Sequence, residues 1–272
     1  MKIIRRIVLA LLCLSLSVNL LARGVQAEEQ MPDRKVIFIG DSRTVEMYGN
    51  VNQVNITYDL FQMDERGDFW SAMIGAKYDW MVNTGIPVAE SQLTDNSAVV
   101  ILMGVNDCTT EESAAMAMRY ADYINQKADE WSARGTETYV VSVNPVDGDY
   151  YFGTIMINNT SIEKFNAVMT AQLSDKITYI DTFSQIIDSF VSPDQLHYEH
   201  DTYLDIYRKV MSAVAEDLAE KDSSGRRLKH AGEAASMAER VLSCRNSRKS
   251  DARICDGIFY GLLPGAVLPQ MT

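Results

Sequence analysis

A serine directly after Gly40-Asp41 stands at the end of a β-branched, apolar run at 35–40, where a strand would hand over to a helix. Ser42 at such a turn is exposed at a sheet edge, and the helix N-terminus behind it favours negative charge. Read alone, Asp41 or Ser42 serves equally well as a helix N-cap. A second stretch, Gly104-Val105-Asn106-Asp107, follows another apolar run. The amide of Asn106 is the kind of donor that holds the oxyanion of an attacked carbonyl, worth ~3 kcal/mol when fixed in place. Its plain alternative is a turn, where Asn and Asp are common. A third stretch, Asp194-Gln195-Leu196-His197, puts a carboxylate three residues before a histidine. Asp194 can accept from the ring Nδ1–H, fixing the tautomer and leaving Nε2 of His197 as a general base. The spacing by itself also arises by accident. Nucleophile, oxyanion donor, base and orienting acid together form a set that no single stretch forms.

The elements around these residues must place them in one crevice. Continuous apolar runs at 35–40, 97–104, 138–143 and 177–180 read as buried strands, with a weaker one at 69–74. Helical patterns fall at 111–133, 161–173 and 201–220, the first with Thr109 or Thr110 as N-cap and Gly135 after its end. Strands without alternation, separated by helices, imply a parallel sheet covered on both faces, joined by right-handed crossovers. In such a sheet ligands bind beyond the carboxyl ends of the strands. All three stretches lie in loops that follow strands.

In that order and in those loops, the motifs resemble the SGNH hydrolase family, also called GDSL-like. Ser42 in Gly-Asp-Ser, Asn106 in Gly-Val-Asn-Asp, and Asp194 with His197 in Asp-x-x-His match its first, third and fifth blocks. The resemblance covers 35–220 and implies a flavodoxin-like three-layer α/β/α sandwich with a central parallel sheet. It implies Ser42, Asp194 and His197 as catalytic residues, and an oxyanion hole from Ser42, Asn106 and a glycine of the second block. Gly75 is the choice for that glycine and Gly85 the alternative. Where the family usually has Gly-Asp-Ser-Leu, this chain has Gly-Asp-Ser-Arg, with Arg43. The implied reaction is acyl transfer from an ester to water through an acyl-serine, with no metal or other cofactor. An O-acyltransferase with the same triad and a non-catalytic glycan-binding protein on the same fold are the alternatives.

Composition bounds the rest. The chain has 272 residues, 47% of them apolar, and a formal net charge of −12. The acidic excess lies before residue 222 and disfavours nucleic acid and anionic surfaces. Lys2, Arg5 and Arg6, the apolar run at 7–21 and Val25-Gln26-Ala27 read as a signal peptide at 1–27. A retained membrane anchor is the other reading, and the run is shorter than the ~20 residues a span needs. The hydrolase domain is then 28–221, exported and soluble once cleaved. Residues 222–227 resemble a linker to a tail at 222–272 whose role the sequence does not give. The four cysteines, Cys13, Cys108, Cys244 and Cys255, show no metal-ligand spacing. Cys244 and Cys255 can pair in an oxidising compartment. Export, with Tyr78, Trp80, Asn144, Tyr150, Tyr151 and Tyr198 near the proposed crevice, points to a small, acetyl-sized ester on a carbohydrate. Packing in the core is the competing role for such aromatics.

Overall fold

The structure, a computed structural model, describes residues 34–246, with side chains as far as 224. The leader, Cys13, Cys255 and the side chain of Cys244 lie outside what is described. Eight strands and six helices follow in chain order. They are β1 (Val36–Gly40), α1 (Ser42–Asn52), β2 (Asp59–Met63), β3 (Phe69–Met73), a compound α2, β4 (Ala98–Leu102), α3 (Ser113–Ser132), β5 (Glu137–Val141), β6 (Tyr150–Phe152), β7 (Ile155–Ile157), α4 (Asn159–Gln172), β8 (Ile177–Ile180), α5 (Phe183–Ile186) and α6 (His200–Asn246). α2 joins Tyr78–Trp80, a π-helical turn Met81–Gly85 and Ile86–Glu90.

The main sheet has the order β2-β3-β1-β4-β5-β8. β3, β1, β4, β5 and β8 run parallel, and β2 pairs antiparallel with β3 at one edge. The expected purely parallel sheet thus gains an antiparallel edge. The run at 59–63 carries Asp59 and Gln62 and leaves only Leu60 buried, so it lacks a buried strand's apolar continuity. In β1, side chains alternate between two cores. Ile37 and Ile39 join Ala117, Ile124, Phe165 and Met169 of α3 and α4. Val36 and Phe38 join Val45 of α1 with Ile206, Val210 and Val214 of α6. A sheet with a core on each face is the three-layer α/β/α sandwich that the resemblance implied.

α3 starts at Ser113 rather than 111, and Thr109 Oγ1 accepts from Glu112 N at 3.2 Å just ahead of it. α4 starts two residues earlier than expected, because Asn158 and Ser161 form a reciprocal capping box. Residues 222–227, read as a linker, are helical. One Gly among helix-compatible neighbours costs only about 1 kcal/mol, and no proline interrupts the run. The first compact unit ends at Leu218 and the second is Ala219–Thr272. No described helix is long and apolar enough to cross a membrane.

Sheet order also fixes where a site forms. From β1 the chain goes to β3 on one side and later to β4 on the other. A crevice therefore opens at the carboxyl end of β1, at the topological switch point.

Candidate active site

Ser42 is the first residue of α1, behind Asp41 as N-cap, whose side chain accepts from Arg43 N. The turn is tight. A Cβ on Gly40 would sit 1.8 Å from Thr44 Oγ1, so only glycine lets α1 start this close to β1. Ser42 Oγ lies 3.0 Å from His197 Nε2, and His197 Nδ1 lies 2.7 Å from Asp194 Oδ2. The other carboxylate oxygen, Asp194 Oδ1, accepts from His197 N at 2.7 Å and Leu196 N at 3.0 Å. One carboxylate thus shapes the loop and orients the ring. The ring and backbone N–H groups of His197 hold the Asp194 carboxyl below its usual range, against the opposing effect of burial. Gln195, between them, takes a left-handed φ of 72°, a conformation disfavoured for a side chain with a Cβ.

Arg43 holds this loop against its neighbours. Its guanidinium donates to the carbonyls of Leu196 (3.0 Å), Asn144 (2.6 Å) and Pro145 (2.9 Å), and lies 4.7 Å over the Tyr198 ring. Arg43 is buried and ties together the ends of two other loops.

The second and third motifs meet across β1. Gly75 follows β3 with φ 74°, and Asn106 lies in a short 3-10 turn after β4. Ser42, Gly75, Asn106 and His197 line one crevice of about 300 Å³. Asn106 Nδ2 donates to Ala76 O at 2.9 Å, which ties it to the Gly75 loop. Asp107 fixes the same loop, accepting from Tyr78 N at 2.8 Å and from Tyr120 OH at 2.7 Å. Gly85 sits elsewhere, under the Trp80 ring, where a Cβ would come within 2.5 Å.

Most of the expected substrate-binding residues are not at the crevice. Tyr198 is 4% exposed and packs with Phe190 and Tyr203, and its hydroxyl donates to Pro145 O. Asn144 is buried and accepts from Thr182 Oγ1. Tyr78 packs on Tyr120 and Tyr123, and Trp80 stacks on Phe61. These four are packing residues. Tyr150 does line the crevice, and Tyr151 points off the other face of its strand.

Two features escaped the sequence reading. Residues 150–157 form a hairpin, β6–β7, whose Phe152, Ile155 and Ile157 line the crevice. Its signal was a Gly-Thr pair between two β-rich triplets. Gly153, with φ 63°, occupies the first turn position. The other is Glu46, whose Oε1 lies 3.7 Å from His197 Nε2 while Oε2 accepts from Tyr203 OH at 2.9 Å. Its signal was the spacing of four residues from Ser42, one turn along the same helix face.

Burial also sets the nearby charges. Asp41 is pushed up to about 6 by loss of water, despite the Arg43 charge and the Arg43 N–H that oppose the shift. Burial raises the Cys108 thiol well above its usual range, beside Asp107, so it stays protonated. Asp41 therefore makes stability pH-dependent. The folded chain holds its proton at pH values where the unfolded carboxyl, near 3.8, has lost it. Stability from this group falls as pH rises between about 4 and 6 and stays lost above that. Asp41→Asn keeps the cap acceptor without the titration. The stability of the variant relative to the parent should rise across that window by on the order of 3 kcal/mol. Urea midpoints at several pH values check this, and a difference that does not change with pH would contradict it.

No family model matches the chain, and no curated protein matches it. Solved structures do. One is a "putative platelet activating factor" of Streptococcus pneumonia, at 15% identity, covering 72% of this chain and 97% of that one, with a TM-score of 0.50. A GDSL-like lipase of Bacteroides thetaiotaomicron VPI-5482 matches at 18% identity over 68% of this chain and 89% of that one, TM-score 0.49. A carbohydrate esterase family 3 protein of Talaromyces cellulolyticus matches at 13% over 69% and 99%, TM-score 0.47. At 15% identity and a TM-score of 0.50 the likeness to the first of these is one of fold, and it agrees with the fold that the motifs implied.

Proposed function

We propose that the chain is a serine esterase of the SGNH type, with Ser42 as nucleophile, His197 as general base and Asp194 as its orienting acid. One observation carries the reading: the unbroken line from Ser42 Oγ through His197 Nε2 and Nδ1 to Asp194 Oδ2, with contacts of 3.0 and 2.7 Å. His197 takes the hydroxyl proton as Ser42 attacks the ester carbonyl. The oxyanion is held by the backbone N–H groups of Ser42 and Gly75 and by the Asn106 amide. His197 returns the proton to the leaving alcohol, then activates water to release the acyl group.

The chain is read as exported, on its basic and apolar N-terminal residues. A small acyl ester of a carbohydrate remains the substrate reading. Its support in the crevice is now Tyr150, since Tyr78, Trp80, Asn144 and Tyr198 pack elsewhere. A fluorophosphonate probe tests the core of the proposal. It should label the protein once, on the peptide that contains Ser42. Labelling elsewhere, or none, would favour a glycan-binding protein on the same fold. Ester consumption that yields mainly transfer product with an added alcohol would favour an O-acyltransferase.

A further inference from the structure

Two chemically different sets of residues line the crevice. Ser42, Asn106, Lys77 and His197 are polar. The β6–β7 hairpin supplies an apolar wall. Its register pairs Tyr150 with Ile157 and Phe152 with Ile155, and side chains alternate between the faces of a strand. Those four therefore share one face, and all four line the crevice. Tyr151 and Met156 pair on the opposite face. Ile157 is buried and anchors the hairpin, while Phe152 is 72% exposed and Ile155 37% exposed. Ile74 and Leu196 add to the apolar lining.

Exposed apolar side chains on a short hairpin are costly to keep in water, and they make sense where a ligand covers them. Size points the same way. The crevice measures about 300 Å³. An acetyl group fills a small part of it. A sugar would present hydroxyls to Phe152, Ile155 and Ile157, which offer them no partner, whereas an aliphatic chain loses nothing against these three.

We propose that the β6–β7 hairpin is the acyl-group wall of the site, and that Phe152, Ile155 and Ile157 select a straight aliphatic acyl group of about four to eight carbons over acetyl. The inference rests on the esterase reading above and concerns its acyl side only. Each methylene removed from water against such a wall is worth about fourfold in binding.

The test compares p-nitrophenyl acetate, butanoate and hexanoate with the full chain, the double variant Phe152→Ser/Ile155→Ser, and Met156→Ser. The readout is the ratio of kcat/KM for hexanoate over acetate. The parent should favour hexanoate by ~10-fold or more, since four methylenes are only partly covered. The double variant should bring the ratio to within about threefold of one. Met156→Ser, on the opposite face, should leave it unchanged. A parent ratio at or below one overturns the proposal, as does a ratio the double variant does not move. An equal fall with Met156→Ser also overturns it, because the effect would then lie in the hairpin's integrity. Turnover of acetate with a flat ratio removes this inference alone. Turnover of no ester removes the esterase reading with it.

Discussion

If Ser42 is the nucleophile, as proposed, Ser42→Ala should lower kcat on an activated acetyl ester by at least ~10⁴-fold and leave the fold intact. The oxygen removed is the one held 3.0 Å from His197 Nε2. Without it the general base has no bonded partner to deprotonate, and the acyl-enzyme cannot form. The oxyanion donors survive the substitution, so a residue of turnover above the uncatalysed rate persists. Stability should change little. Asp41, which caps α1, is untouched. Losing one small hydroxyl at a helix start falls within the usual range of about 1 kcal/mol. Initial rates beside a urea melt separate the two effects. Equal turnover in both proteins would remove Ser42 from the mechanism. A collapse in stability would show that the loss of rate is not chemical.

Arg43→Leu should give the largest loss of stability, about 4 kcal/mol. The guanidinium satisfies three buried carbonyls, those of Asn144, Pro145 and Leu196. Leucine fills space but donates nothing, and each orphaned acceptor costs about 1–3 kcal/mol. The variant also removes the positive charge that opposes the upward shift of Asp41. Activity should fall with it, by about a hundredfold, because Leu196 O is the tether next to His197 and small misplacements cost that much. Arg43→Lys separates charge from shape. An ammonium restores the charge but cannot span three carbonyls, so it should recover only part of either loss. A urea midpoint that does not move would mean that water replaces the guanidinium at all three oxygens.

That residue also shows what the sequence could and could not convey. Gly-Asp-Ser, Gly-Val-Asn-Asp and Asp-x-x-His were legible because each is local, and each follows a strand whose apolar run is plain. Arg43 gave no local sign of its role, since its partners lie 101, 102 and 153 residues away. The same holds for Tyr198 and Asn144. Their types suit a binding surface, but their positions are set by packing against Tyr203, Phe190 and Thr182. The edge strand β2 was missed because half-exposed strands carry polar residues, and β6–β7 because three-residue strands are too short for any period to register. Glu46 was visible as a helix position but not as a neighbour of a ring 151 residues onward.

The distance along the chain between Ser42 and His197 has a consequence for biosynthesis. The proposed nucleophile is made early, on the turn from β1 to α1, and its proposed base comes 155 residues later. While the ribosome is still adding β8, the growing polypeptide already has Ser42, Gly75 and Asn106, yet lacks His197. The proposed triad is complete only when the loop after β8 reaches back to the end of β1 and Arg43 binds Leu196 O. On the proposed reading an unfinished chain lacks its general base, and full reactivity belongs only to copies that have completed the domain.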